Sequence, residues 1–217
     1  MTMTQQNGPN VEAGSAVSEG FGTMAVQKTA ETASSALAAQ AQAAVQARFI
    51  MAMKNPRDLD EVRRKLLKEC QRPNFADVAR YHKPIGKGVE GPSIRFAETA
   101  MRCMGNMTAE PVITFDSPEK RTIRVTVTDL EANVTVGSDI TIEKTVERSK
   151  VPSGMTPIAT RTNSYGGTTY ILPATEDDLL NKVNALVSKA LRTNILRIVP
   201  GDIVDEAMTA VVKVQQN

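Results

Sequence analysis

The sequence predicts an α+β fold: an antiparallel three-stranded β-meander packed against helices, with a long C-terminal helix and a disordered N-terminal leader. Two observations carry this expectation. Apolar residues recur at helical spacing up to Gly105 and again after Thr175, whereas the stretch from Val112 to Val146 alternates with the period of a strand. That order, helices first, strands next, then a long helix, is the pattern of helices laid on one face of a sheet.

Taken in order, residues 1–22 are Gly, Ser, Asn, Gln, Thr and Glu with isolated apolar residues. Such a segment buries too little surface to offset its ordering entropy, so a disordered leader is expected. Residues 23–54 turn Ala/Gln-rich and end in Phe49-Ile50-Met51-Ala52-Met53, a strongly helix-forming composition that Asn55-Pro56 breaks. The remainder, 55–217, reads as one α+β domain. Its first helix runs from Asp58 to Cys70, with Leu59, Val62, Leu66 and Cys70 on one face and acids in the first turn. A short helix from Asn74 to Arg80 follows Pro73, and 81–92 is expected as loop. A third helix begins at Pro92-Ser93 and stops at Gly105, burying Ile94, Ala97, Met101 and Met104.

The meander comprises strands around Val112–Phe115, Thr122–Val127 and Val134–Val146, joined by a Ser117–Lys120 turn and a loop at Asp129–Asn133. Residues 148–172, with Pro152, Gly154, Pro157, Gly166 and Gly167, are expected as a mobile loop or hairpin. Thr175-Glu-Asp-Asp then caps a long helix with Leu179, Leu180, Val183, Leu186, Val187, Ala190 and Leu191 on its apolar face. A last amphipathic helix covers Asp202 to Val214.

Composition limits the chemistry. His82 is the one histidine, so centres needing two imidazoles are excluded, as is any Ser-His-Asp or Cys-His arrangement not built on it. Cys70 and Cys103 form no CxxC pair, no apolar h-region opens the chain, and no apolar run reaches membrane-spanning length. A cytoplasmic protein with reduced thiols is expected.

The net charge of +2 hides an asymmetry, because residues 48–102 alone carry 13 basic against 7 acidic side chains. A polyanion would seek that quarter of the chain. Within it, Arg63, Arg64, Lys65, Lys68 and Arg72 form one cluster, and Arg80, Lys83, Lys87, Arg95 and Arg102 continue the same sign. The plain alternative is a solvated helix face with Asp60–Arg64 and Glu61–Lys65 pairs, each worth about 0.2–0.5 kcal/mol. Those pairs leave Arg63, Lys68 and Arg72 free, which favours a phosphate-binding surface. Lys189 and Arg192, beside Asn181, Asn184 and Ser188 on the long helix, are further candidates.

Gly86-Lys87-Gly88-Val89-Glu90-Gly91 spells GxGxxG but lacks the preceding strand and the βαβ frame of a dinucleotide site. What remains is a phosphate loop of Gly86, Gly88, Gly91 and Ser93 at a helix start, with a simple connecting loop as the alternative. Tyr81, His82, Tyr165 and Tyr170 could stack on bases, yet with no Trp and few aromatics a backbone-led grip is expected. Asp129 and Glu131 at a turn, with Glu143, are the carboxylates a metal-dependent nuclease would use, and Asp177 and Asp178 read as helix-capping acids.

Gly91-Pro-Ser-Ile-Arg-Phe-Ala-Glu98, Met104-Gly-Asn106, Asn181 to Arg197 and Ile198-Val-Pro-Gly-Asp-Ile-Val-Asp-Glu-Ala207 resemble a family of phage and prophage recombination proteins. The arrangement of helices, meander and long helix over about 46–210 resembles, more distantly, the core of RecT/Redβ-type single-strand annealing proteins. The resemblance implies ATP-independent binding of single-stranded DNA and annealing of complementary strands, without metal, nucleotide or other cofactor. It also implies a ring or filament of identical subunits in a bacterial host's cytoplasm, with a phage exonuclease or host single-strand-binding protein as further partners. The alternatives are a metal-dependent phage nuclease using Asp129, Glu131 or Glu143 with Mg²⁺, and a non-enzymatic oligomeric structural or host-interaction protein.

Overall fold

The computed structural model describes the backbone of residues 18–83 and 89–216 and the side chains of 32–82 and 90–216. The expectation of a leader therefore lies outside the described residues as far as 17, and those for Gly86, Lys87 and Gly88 lie outside them too. From Ser18, within the expected leader, the chain is helical: α1 spans Ser18–Lys54. Residues up to Arg48 form one unit and those from Phe49 another.

The second unit has the expected α+β architecture. Helices α2 (Leu59–Cys70), α3 (Pro73–Ala79) and α4 (Ile94–Met104) precede a meander of β3 (Met107–Asp116), β4 (Lys120–Asp129) and β5 (Val134–Glu143). Helices α5 (Glu176–Ile198) and α6 (Gly201–Gln215) close the chain. No described helix is long and apolar enough to cross a membrane.

Two elements depart from expectation. Residues 81–92 are not all loop: β1 (Arg80–Lys83) and β2 (Val89–Pro92) pair antiparallel, Tyr81 opposite Gly91. A Cβ on Gly91 would stand 3.1 Å from the Tyr81 ring, so glycine lets the ring lie close over the strand. The second is the stretch 145–173: the hairpin allowed for in 148–172 forms from β7 (Ala159–Thr162) and β8 (Thr168–Pro173), and β6 (Thr145–Arg148) joins it in a sheet of order β6-β8-β7.

The core explains the order of the helices. Val62, Leu66 and Cys70 of α2 meet Ala76 and Ala79 of α3, Phe96, Ala97 and Ala100 of α4, and Ile203, Ala207 and Val211 of α6. Leu59, expected on the same face of α2, is 49% exposed because it sits at the helix start, beyond these neighbours. A smaller cluster packs Leu179 of α5 on Ile123, Val125 and Ile142 of the sheet. In α5, Leu180 and Leu186 stay exposed, whereas polar Asn194 is wholly buried. Its amide donates to the Val125 carbonyl at 2.9 Å and its oxygen accepts from the Ser138 hydroxyl at 2.9 Å, so burial leaves neither end unsatisfied.

Candidate nucleic-acid interface

Helix α4 is fixed at both ends. Ser93 is its N-cap, accepting from the Phe96 N–H at 3.2 Å while its hydroxyl donates to the Val78 carbonyl at 2.6 Å. Its own N–H donates to the Ala79 carbonyl, which ties the start of α4 to the end of α3. Gly105, at φ +63°, ends the helix in a conformation that favours glycine. Phe96, Ala97, Ala100 and Met104 face the core, so Arg95, Glu98 and Arg102, at three- and four-residue intervals, share the outer face.

Between α3 and α4 lies a cleft of about 260 Å³ lined by Arg72, Asn74, Phe75, Val78, Arg95, Glu98, Thr99 and Arg102. Arg72, Arg95 and Arg102 thus converge from sequence positions up to 30 apart. Arg72 is bound to Glu69 at 2.5 Å. Arg102 donates to the neutral Thr99 hydroxyl at 2.8 Å, and Arg95 makes no ion pair among the described residues. A second depression of about 310 Å³ also includes Arg102, with Lys65, Arg57, Glu61, Cys103 and Asn106 in its wall. Arg102 therefore lines both hollows, and the second also carries Asp58 beside Glu61.

The other nominated residues are distributed differently. Arg63 is not free, as the helix pattern suggested: both its Nε and Nη2 donate to Glu206 of α6 at 2.5 Å. Neither is Arg72, which has the Glu69 carboxylate above. The partner of Arg63 is 143 residues away, which no local pattern displays. Glu61 pairs with Lys65 at 3.0 Å and with Arg64 at 3.9 Å, and Lys68 makes no ion pair among the described residues. Arg80 is tied to Glu90, which also meets His82 Nδ1 at 3.1 Å, and reaches Gln215 at 3.2 Å. Lys83 is described in backbone only. Of the glycine loop, Gly91 lies in β2 and Ser93 is committed to capping α4. Arg192 lies over the Tyr81 ring, 4.5 Å from its centroid, while Lys189 is exposed.

Two of the three carboxylates of the nuclease alternative, Asp129 and Glu131, have structural employment, and Glu143 is exposed. Asp129, 4% exposed, receives both Arg57 guanidinium nitrogens at 2.6 Å, and Glu131 accepts the Arg57 N–H and Nε as well as the Asn106 amide. Burial pushes the Asp129 carboxyl up, but the hydrogen bonds and charge of Arg57 and the Ala132 and Glu131 amides outweigh it and hold it below the usual carboxylate range. Among the described residues no three His, Cys, Asp or Glu side chains gather as metal ligands. Burial pushes the Cys70 thiol up to about 12, so it is a core group rather than a nucleophile.

Three features were not nominated from sequence: Phe75 and Asn74 in the cleft wall, the Arg57 clamp, and buried Asn194. Phe75 could have been found from the α3 pattern, since it stands one turn before Ala79 and packs, half-buried, at the edge of the Ala76 and Ala79 stripe. Compared with protein-family models, curated proteins and solved structures, the chain finds no match.

Proposed function

We propose that this chain binds single-stranded DNA without ATP and anneals complementary strands in phage recombination, acting as an oligomer. The observation that carries the proposal is the convergence of Arg72, Arg95 and Arg102 on one cleft, continued past Arg102 toward Lys65. Guanidinium groups present planar forks of donors that match phosphate oxygens, so such a track suits a polyanionic backbone. Phosphate contacts carry no sequence information and leave the base edges open to a complement. That is what annealing requires of a carrier: a held backbone and free Watson–Crick edges. Exposed Leu180 and Leu186 on α5 supply apolar surface for neighbouring subunits.

The test is a salt titration of binding to an oligothymidylate of roughly 30 nucleotides. The logarithm of affinity is expected to fall linearly with the logarithm of salt, by about 0.7 for each phosphate contacted. Acceleration of annealing between complementary oligonucleotides, without nucleotide or divalent metal, should accompany it. No binding at low salt would end the proposal.

A further inference from the structure

The sheet β6-β8-β7 projects a hairpin whose tip, Asn163-Ser164-Tyr165-Gly166-Gly167, holds an aromatic ring in solvent: Tyr165 is 95% exposed. The tip is built rather than loose. Asn163 Oδ1 accepts from the N–H groups of Tyr165 at 3.0 Å and Gly167 at 2.8 Å. The Asn163 N–H donates to the Gly167 carbonyl at 2.8 Å, and Gly166 adopts φ +78°, a conformation open to glycine. Four hydrogen bonds within five residues, the fourth from the Gly166 N–H to the Asn163 carbonyl, therefore fix the backbone that carries the ring.

The surface leading to the tip continues in the same chemistry. Tyr170 of β8 is in register with Arg148 of β6 and Thr160 of β7, and the next row on that face pairs Thr168 with Thr162. Ring, guanidinium and hydroxyls thus line one face of the hairpin, where the Asp178 carboxylate of α5 holds Arg148 at 2.7 Å; the Glu147–Arg161 ion pair belongs to the opposite face. Serine and glycines flank Tyr165, so no aliphatic ring of neighbours surrounds it as around an anchor for an apolar protein pocket, and both of its faces are open.

We infer that Tyr165 is a stacking site for an unpaired nucleobase, with the Tyr170 ring extending the platform; this rests on the single-strand reading above. A flat π face accepts any base and asks for no particular edge, which is compatible with a strand that must remain free to pair. The arginine track would then hold phosphates while the hairpin tip holds a base.

The experiment uses the full chain and two fluorescent probes of equal length, an oligothymidylate of roughly 30 nucleotides and its abasic sugar-phosphate counterpart. Tyr165→Ala is expected to lower affinity for the oligothymidylate about tenfold and leave the abasic probe within about twofold. Tyr165→Phe, which keeps the ring and loses the hydroxyl, should bind both as the parent does. An unchanged thermal midpoint is expected for both variants because the side chain is exposed. Equal losses on both probes, or none on either, would overturn the stacking role while leaving phosphate binding intact. If the parent chain binds neither probe, both proposals fall together.

Discussion

In the sheets, Arg121 grips Asp116 at 2.8 and 3.2 Å, Arg124 grips Asp139 at 2.8 and 2.9 Å, and Arg161 grips Glu147 at 2.6 and 3.0 Å. On α4, Arg95 makes no ion pair among the described residues and Arg102 meets only the neutral Thr99 hydroxyl. The contrast follows from geometry. Arg121 and Arg124 stand directly across a strand pair from their acids, and Arg161 and Glu147 meet over the central strand β8, so the sheet register holds each acid beside its cation. An outer helix face meets only its own three- and four-residue neighbours unless another element packs over it, as α6 does over Arg63 with Glu206. A count of cations therefore says less about the surface potential than which of them a carboxylate already holds. Of the basic run in 48–102, the part aligned along α4 keeps its charge for a ligand.

The largest effect is expected where pairing is carried furthest, at Arg57. Its side chain is 12% exposed and Asp129's 5%, so removing the guanidinium strands a buried carboxylate. Arg57→Ala is expected to lower stability by about 3–5 kcal/mol, read from urea unfolding, because the desolvation cost of the remaining charge is left unbalanced. The same clamp should show in the pH profile. Asp129 and Glu131 both titrate below their ordinary values in the fold, so the stability they contribute is complete above the unfolded-state values of about 3.9–4.3 and is lost as pH falls below them. In Arg57→Ala, burial without the guanidinium would raise the Asp129 value, and the fall in stability between about pH 5 and pH 2 should be shallower than in the parent. An identical slope in the two proteins would show that the clamp is not formed in solution.

Next in size is the cleft itself. Replacing Arg95 and Arg102, the cleft arginines that no carboxylate holds among the described residues, together with Ala should weaken single-strand binding at least about tenfold near 0.1 M salt and reduce the salt slope by about 1.4, with unfolding little changed. A variant with normal slope would move the interface elsewhere, most simply to Lys68, Lys189 or Arg192, the other nominated cations without an ion pair among the described residues.

How far the sequence discloses this arrangement depends on whether the signal is local. The meander is legible because Ile123, Val125 and Val127 alternate with polar residues along β4, and the Thr175 capping box is legible because both halves lie within four residues. The sheet β6-β8-β7 is not. Its strands are four to six residues long, Ala159–Thr162 is exposed throughout, and Pro152, Gly154 and Pro157 interrupt the run, so Leu172 is the one fully buried residue left to mark it. For the candidate site, the residue types and two of the three arginines' helix positions were readable, since Arg95 and Arg102 are seven apart on one helix. Their meeting with Arg72, and the loss of Arg63 to Glu206 and of Arg80 to Glu90, depend on contacts between elements, which periodicity does not encode.

The smallest expected effect is the control that gives the comparison its force. Arg124 and Asp139 sit across β4 and β5 on the exposed sheet face, with side chains 57% and 51% exposed. Exposed pairs of this kind contribute about 0.2–1 kcal/mol, so Arg124→Ala should cost no more than that in urea unfolding. Because Asp139 cancels the charge of Arg124 locally, the substitution should also leave oligonucleotide affinity within about twofold and the salt slope unchanged. The double variant Arg124→Ala/Asp139→Ala should behave the same. If instead Arg124→Ala weakened binding as much as a cleft arginine does, a carboxylate-held guanidinium would be contributing to the phosphate contacts, and pairing would no longer separate the sheets from α4.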